Sequence, residues 1–195
     1  MKTRARWLVA GAALALGLWG LATVGSSFAA DDEKDGILKL AGMIEKGDDA
    51  AAKKEAAAIA KKAELEDVMH LFKLRKMKGL GIGDTPDAIT PDGIEAKFIA
   101  LTKKPLSATD LGKQADDLAK AADVSAAIAA VAIIKAPEKK VGAKDPKEWK
   151  QWAEDLDKGS KELAAAARKK DAKGIQDAAK KSVKACNDCH AVFRD

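Results

Sequence analysis

Alanine-rich segments, in which apolar residues recur every three or four positions, make up most of this chain. That spacing places the apolar side chains along one face of an α-helix. The chain contains no tyrosine, and few glycines or prolines fall inside these segments, so little is available for building a β-sheet. The sequence therefore predicts an all-α protein.

The composition limits the function classes that the chain can belong to. Charged residues make up 33% of the 195 residues and hydrophobic residues 47%, which excludes a polytopic membrane protein and a low-complexity disordered chain. Three of the basic residues lie in the first thirty positions, where there is no acid; without them, 32 basic residues face 30 acidic ones. This small excess of positive charge, together with the lack of a clustered basic motif, argues against a nucleic-acid partner.

The first thirty residues have the three parts of an export signal. Basic residues lie in Met1–Arg6, an apolar run occupies residues 7–24, and small residues occupy 25–30. We predict a signal peptide over 1–30, cleaved after Ala29 or after Ala30, and a periplasmic mature protein with no stable membrane insertion. The alternative is an uncleaved anchor, since eighteen mostly apolar residues reach the lower limit for spanning a bilayer.

Capping residues and breakers divide the rest of the chain into helices. The periodicity predicts a short helix over 37–46, broken at Gly47, and a long one running to about Lys78. The apolar face of the long helix shifts between Ala63 and Glu66, which implies either a kink there or burial of the helix on two sides. Residues 79–93 carry four glycines and two prolines and predict a surface loop.

The C-terminal half predicts longer helices with short connections. These cover residues 94–104, residues 107–135, a helix that begins at Pro146 after a capping Asp145, and a last helix that begins at Asp171. We predict an up-and-down antiparallel four-helix bundle with extra N-terminal helices. The predicted regions are an N-terminal helical region over 31–104 and a bundle over 105–195.

The last helix carries the motif Cys186-Asn187-Asp188-Cys189-His190, which contains every cysteine of the chain. This C-x-x-C-H pattern is the signature of covalent c-type haem attachment. Two thiols three residues apart reach the two vinyl groups of one porphyrin edge, and the adjacent imidazole is presented to the iron. Export supports this interpretation, because exported thiols are normally oxidised or otherwise occupied.

Three alternatives to haem attachment stay open. A thioredoxin-like pair would follow a strand at the start of a helix. A structural zinc site would need four ligands, with His70 joining the motif at no recognised spacing. A plain disulfide between Cys186 and Cys189 is the third alternative.

From Asp145 to Asp195 the chain resembles the last two helices of the class II cytochromes c, the cytochrome c prime type. The resemblance includes CNDCHAVFR, extends loosely through residues 107–135 and fails in the N-terminal third. It implies one covalently bound haem c per chain. By position, it makes Cys186 and Cys189 the thioether residues and His190 the proximal iron ligand, and it places Arg194 beside the haem.

The sixth iron ligand is less determined. Low-spin members of the resembled family have a methionine on the first bundle helix, whereas cytochrome c prime leaves this position empty. The candidate residues are Met43, Met69, Met77 and His70. Met69 and His70 are favoured jointly, as adjacent residues on different stripes of one predicted helix.

The leading function is an exported electron-transfer protein, not an enzyme, that serves a redox partner protein. Lysines on the last helix would steer an acidic partner toward the haem. The alternative is a five-coordinate haem protein that binds small gases. A haem peroxidase with His70 as distal acid or base and a C-x-x-C thiol oxidoreductase are less supported. The resemblance also leaves a homodimer open.

Overall fold

The computed structural model of the chain describes residues 27–86 and 88–194, with side chains from Asp32 onward. The predicted signal peptide and its cleavage positions lie outside the described residues, except for the backbone of 27–30. The described elements are α1 (Ser27–Glu45), α2 (Asp49–Lys62), α3 (Leu65–His70), a 3₁₀ turn (Arg75–Met77), α4 (Ile94–Lys103), α5 (Ala108–Ile134), α6 (Pro146–Arg168) and α7 (Ala172–Phe193). The prediction of an all-α protein is confirmed. None of the helices in this range has the length and apolar character needed to cross a bilayer.

Polar side chains cap the helices where the sequence predicts their starts. Asp48 accepts from the backbone N–H of Ala51 at α2, and Ser107 accepts from that of Asp110 at α5. Asp145 and Asp171 do the same for α6 and α7, at 2.9 Å each. Each cap satisfies a backbone donor that a helix start leaves unpaired, so these boundaries follow from local sequence.

The prediction of one helix from residue 49 to about Lys78 is wrong. The backbone becomes extended at Ala63 and Glu64, with ψ of 144° and 140°, and α3 then ends at His70. The predicted kink between Ala63 and Glu66 is therefore a complete break. A continuous helix would put the Ala56 and Val68 faces on different sides, whereas the break buries both, at 2% and 0% exposure.

The three C-terminal helices pack side by side and antiparallel. Ser125 on α5 shares a buried hydrogen bond of 2.7 Å with Ser160 on α6. Gly159 on α6 faces α7, where an added Cβ would lie only 2.6 Å from Ser182 Oγ. Small residues thus allow these helices to approach closely.

Two helices, α1 and α4, flank this three-helix unit, and neither of them is as long as α5, α6 or α7. α1 packs against α5, and α4 packs against α7. One hydrophobic core runs from Ile37 on α1 to Ala179 on α7, so the regions predicted as 31–104 and 105–195 pack against each other.

An ion-pair cluster joins α1, α5 and α6 at the end of α6. The Arg168 guanidinium pairs with the buried Asp123 carboxylate and lies 3.3 Å from Glu45 Oε1. Burial raises the pKa of Asp123, and the Arg168 hydrogen bond and charge oppose that rise. Pairing is what makes a buried charge at this position tolerable.

Candidate functional site

The last turns of α7 form one wall of an apolar cavity. Cys186, Cys189 and His190 all line it, together with Val183 and Ala185 from the same helix. The remaining walls come from the end of α5, the start of α6, the start of α4 and α3. The C-x-x-C-H motif therefore faces a space that five helices enclose.

Aromatic side chains of α6 and α7 contact one another in this region. The ring of Phe193 meets that of Trp149 edge to face, with centroids 4.8 Å apart, and that of Trp152 at 6.1 Å. Trp149 Nε1 donates to the carbonyl of Ala132 at 2.7 Å, which fixes the indole and satisfies its buried N–H. Trp149 and Trp152 line the cavity. A flat apolar ligand would therefore meet rigid apolar surfaces here.

The two thiols are poorly suited to thiol exchange. They are not joined in a disulfide, and both are partly buried. Burial raises the pKa of Cys186 to about 12 and that of Cys189 to about 11. A thiol oxidoreductase needs a lowered thiol pKa, usually at a helix N-terminus, whereas this pair lies in the last turns of α7.

His190 is held in a form that can bind a metal. Burial lowers its pKa, the charge of Arg194 lowers it further, and Glu95 has the opposite effect. This shift favours the neutral imidazole, which is the form that binds metal ions. Arg194 follows the last turn of α7, and its backbone N–H donates to the His190 carbonyl at 3.3 Å.

The chemistry of these donors fits a covalently bound haem. Two thiols three residues apart and a neutral imidazole lie on one wall of an apolar, aromatic-rich cavity. Zinc fits less well, because no group of three or more His, Cys, Asp or Glu residues among the described side chains is arranged to hold a metal ion.

Met69 and His70, which the sequence leaves unseparated, lie in different environments. Met69 lines the cavity, and His70 does not. The His70 side chain is 43% exposed, and its Nε2 atom lies 3.6 Å from Glu66 Oε1. Of the other candidates, Met43 packs against the core away from the cavity, and Met77 is 54% exposed.

Several cavity residues were not assigned to the site from the sequence. Trp149 and Trp152 recur at heptad-like spacing along α6, a pattern that indicates core positions and does not by itself indicate a site. The residues on the α3 and α4 side are Phe72, Glu95, Phe98 and Ile99. Phe72 lies three positions after Met69 on the same apolar stripe, and this spacing could have indicated that both residues line one site. No pattern in the sequence indicates that α4 lies beside α3.

Comparison with known proteins identifies the C-terminal part of the chain. Residues 139–194 match the family model described as Cytochrome C'. The match contains all of α6 and α7 with the C-x-x-C-H motif, and it covers less than a third of the chain. No curated protein and no solved structure matches the chain.

Proposed function

We propose, from the premise that residues 139–194 are a segment of the cytochrome c prime type, that this protein is an exported electron carrier. The residues that would hold its one haem are Cys186 and Cys189, through thioether bonds, and His190, through its imidazole on the iron. The haem supplies a one-electron redox centre, and the chain binds it, orients it and excludes water. In this role the protein is not an enzyme.

One observation carries the proposal of a six-coordinate carrier. The three motif side chains and Met69 line the same apolar cavity, whereas His70 lies outside it. A methionine thioether is a soft, neutral ligand that favours ferrous iron and raises the haem potential. We assign Met69 as the residue that would supply the sixth ligand, and the cavity-lining rings of Trp149 and Trp152 would offer apolar surface to the macrocycle.

The optical absorption spectrum tests this proposal. The holoprotein, produced with a haem-attachment system, is measured oxidised and after reduction with dithionite. We expect the sharp, split visible bands of low-spin iron in the reduced protein. Broad high-spin bands would instead support a five-coordinate protein that binds small gases. The absence of haem bands would refute both functions.

The bundle and its export belong to the same proposal. In this proposal, α1, which packs against α5, and α4, which packs against α7, together take the part of the fourth helix of an up-and-down bundle. The mature protein acts in the periplasm after removal of residues 1–30. Export and haem attachment are proposed together, because c-type haem is attached outside the cytoplasmic membrane.

The charge distribution supports an acidic redox partner that docks at the turn between α5 and α6. Residues 139–194 contain 15 basic and nine acidic residues, whereas residues 31–138 contain 17 basic and 20 acidic ones. The lysines of α7 that were expected to steer the partner lie beside carboxylates, which offsets their charge; these are Lys173, Lys180, Lys181 and Lys184. In the turn, Lys139 lies close to Val141, which is 70% exposed, while Lys140 lies 3.1 Å from the Asp145 carboxylate, which offsets its charge as well. Basic side chains around an exposed apolar one favour an acidic partner.

Charge reversal at the turn is expected to slow electron transfer to an anion. We expect Lys139→Glu with Lys140→Glu to lower the rate at which ferricyanide oxidises the reduced protein by roughly threefold or more at low salt. The difference should disappear at high salt. The matched control is Lys61→Glu with Lys62→Glu on α2, which changes the same charge away from the cavity. Stopped-flow rates equal for the two double variants would contradict this docking surface.

A further inference from the structure

The segment between α3 and α4 is built around one arginine and one aspartate. Arg75 Nε donates to Asp92 Oδ2 at 2.8 Å, and the Arg75 backbone N–H donates to the Asp92 carbonyl at 2.9 Å. The Arg75 guanidinium also donates to the carbonyl of Gly83 at 2.7 Å, and Asp92 Oδ1 accepts from the Ile82 N–H at 2.8 Å. The Asp92 side chain is only 10% exposed. Charge-assisted hydrogen bonds of this kind are strong and geometrically specific.

This Arg75–Asp92 pair joins the end of α3 to the start of α4. The Glu95 N–H donates to the Phe72 carbonyl at 3.2 Å, and the Leu80 N–H donates to the Leu71 carbonyl at 3.1 Å. The first and last parts of this segment approach each other so closely that a Cβ added at Gly93 would lie 2.8 Å from Leu74 Cα. The segment is therefore a packed structure rather than a loose surface loop.

Residues of the same two helices and of the turn after α3 line the cavity beside the motif-bearing helix α7, against which α4 packs. Met69 comes from α3, and Phe72 follows two residues after the end of that helix. Glu95 and Phe98 come from α4. α3 has only six residues, too few to hold a helix by its own backbone hydrogen bonds. Its position must come from tertiary contacts: α3 packs against α1 and α5 with Val68 fully buried, and the Arg75–Asp92 pair fixes the chain that follows it.

We propose that Arg75 and Asp92 are positioning residues that hold the Met69-bearing wall against the haem. This inference rests on the proposed function, in which Met69 is the sixth ligand, and extends it to a segment outside the residues matched by the family. Neither residue lines the cavity. Together they control how easily the iron's open side is exposed to an external ligand.

Carbon monoxide binding to the ferrous holoprotein tests the proposal, because CO must displace Met69. Asp92→Asn keeps the shape of the side chain but removes the charge, and we expect it to raise the CO binding rate about tenfold. Arg75→Lys keeps the charge but loses the planar fork, and we expect a smaller rise in the same direction. It also serves as the second variant if Asp92→Asn does not fold.

The matched control is Asp123→Asn, which removes the carboxylate of the other buried arginine–aspartate pair, away from the cavity. It should lower the thermal stability and leave the CO rate within about twofold of the starting protein. Equal acceleration by Asp92→Asn and Asp123→Asn would show general loosening and overturn the proposal, as would unchanged CO rates in both Asp92→Asn and Arg75→Lys.

A Met69→Leu background separates this inference from the proposed function. We expect Met69→Leu alone to accelerate CO binding, and Asp92→Asn to add much less in that background than in the starting protein. If Met69→Leu changes neither the spectrum nor the CO rate, the ligand assignment in the proposed function fails. If Met69→Leu acts and Asp92→Asn does not, only the positioning role fails.

Discussion

Replacing Cys186 and Cys189 together with serine is expected to abolish covalent haem attachment. Each thioether bond needs a thiol, and the chain contains no other cysteine that could replace either one. Serine keeps the size and helix position of each residue, so any fold that forms without haem should be little changed. We expect no haem to stay with the denatured chain on a gel stained for haem.

The matched control for this variant is Asn187→Ala, between the two cysteines. Asn187 also lines the cavity, so its removal perturbs the same turn of α7 without removing a thiol. We expect this variant to retain its haem through denaturation. Retention of haem by the double serine variant under the same conditions would refute the attachment.

Replacing Met69 with leucine is expected to convert the iron from six-coordinate to five-coordinate. Leucine fills a similar volume but has no sulfur to bind iron. The reduced spectrum should lose its sharp low-spin bands. The apparent affinity for CO should rise by about tenfold or more, because the competent state no longer has to release an internal ligand.

His70→Leu is the neighbouring control for that change. Its side chain lies outside the cavity beside Glu66, so neither the spectrum nor the CO affinity should move. A spectrum that changes with His70→Leu and not with Met69→Leu would reverse the assignment of the sixth ligand.

The helices that carry the motif could be predicted from the sequence because their signals are local. Ser107, Asp145 and Asp171 each cap the helix that follows, and Pro146 occupies the first position of α6. Capping depends on residues within one turn, so it does not require knowledge of the fold. The motif itself is likewise contained in one turn and a half of α7.

The side of the cavity formed by α3 and α4 could not be predicted, because it depends on contacts between distant segments. Glycines and prolines in 79–93 favour a surface loop, yet Ile82 and Ile89 are each only 2% exposed. Arg75 and Asp92 lie 17 positions apart, and nothing in their spacing indicates that they pair. Met69 and His70 are adjacent, and only the tertiary placement of α3 separates them.

The most direct test of covalent haem binding is the mass of the purified holoprotein measured under denaturing conditions. After treatment with a thiol-alkylating reagent, we expect the mass of the processed chain plus one haem, with neither Cys186 nor Cys189 alkylated. A chain without haem whose two cysteines are both alkylated would contradict the account.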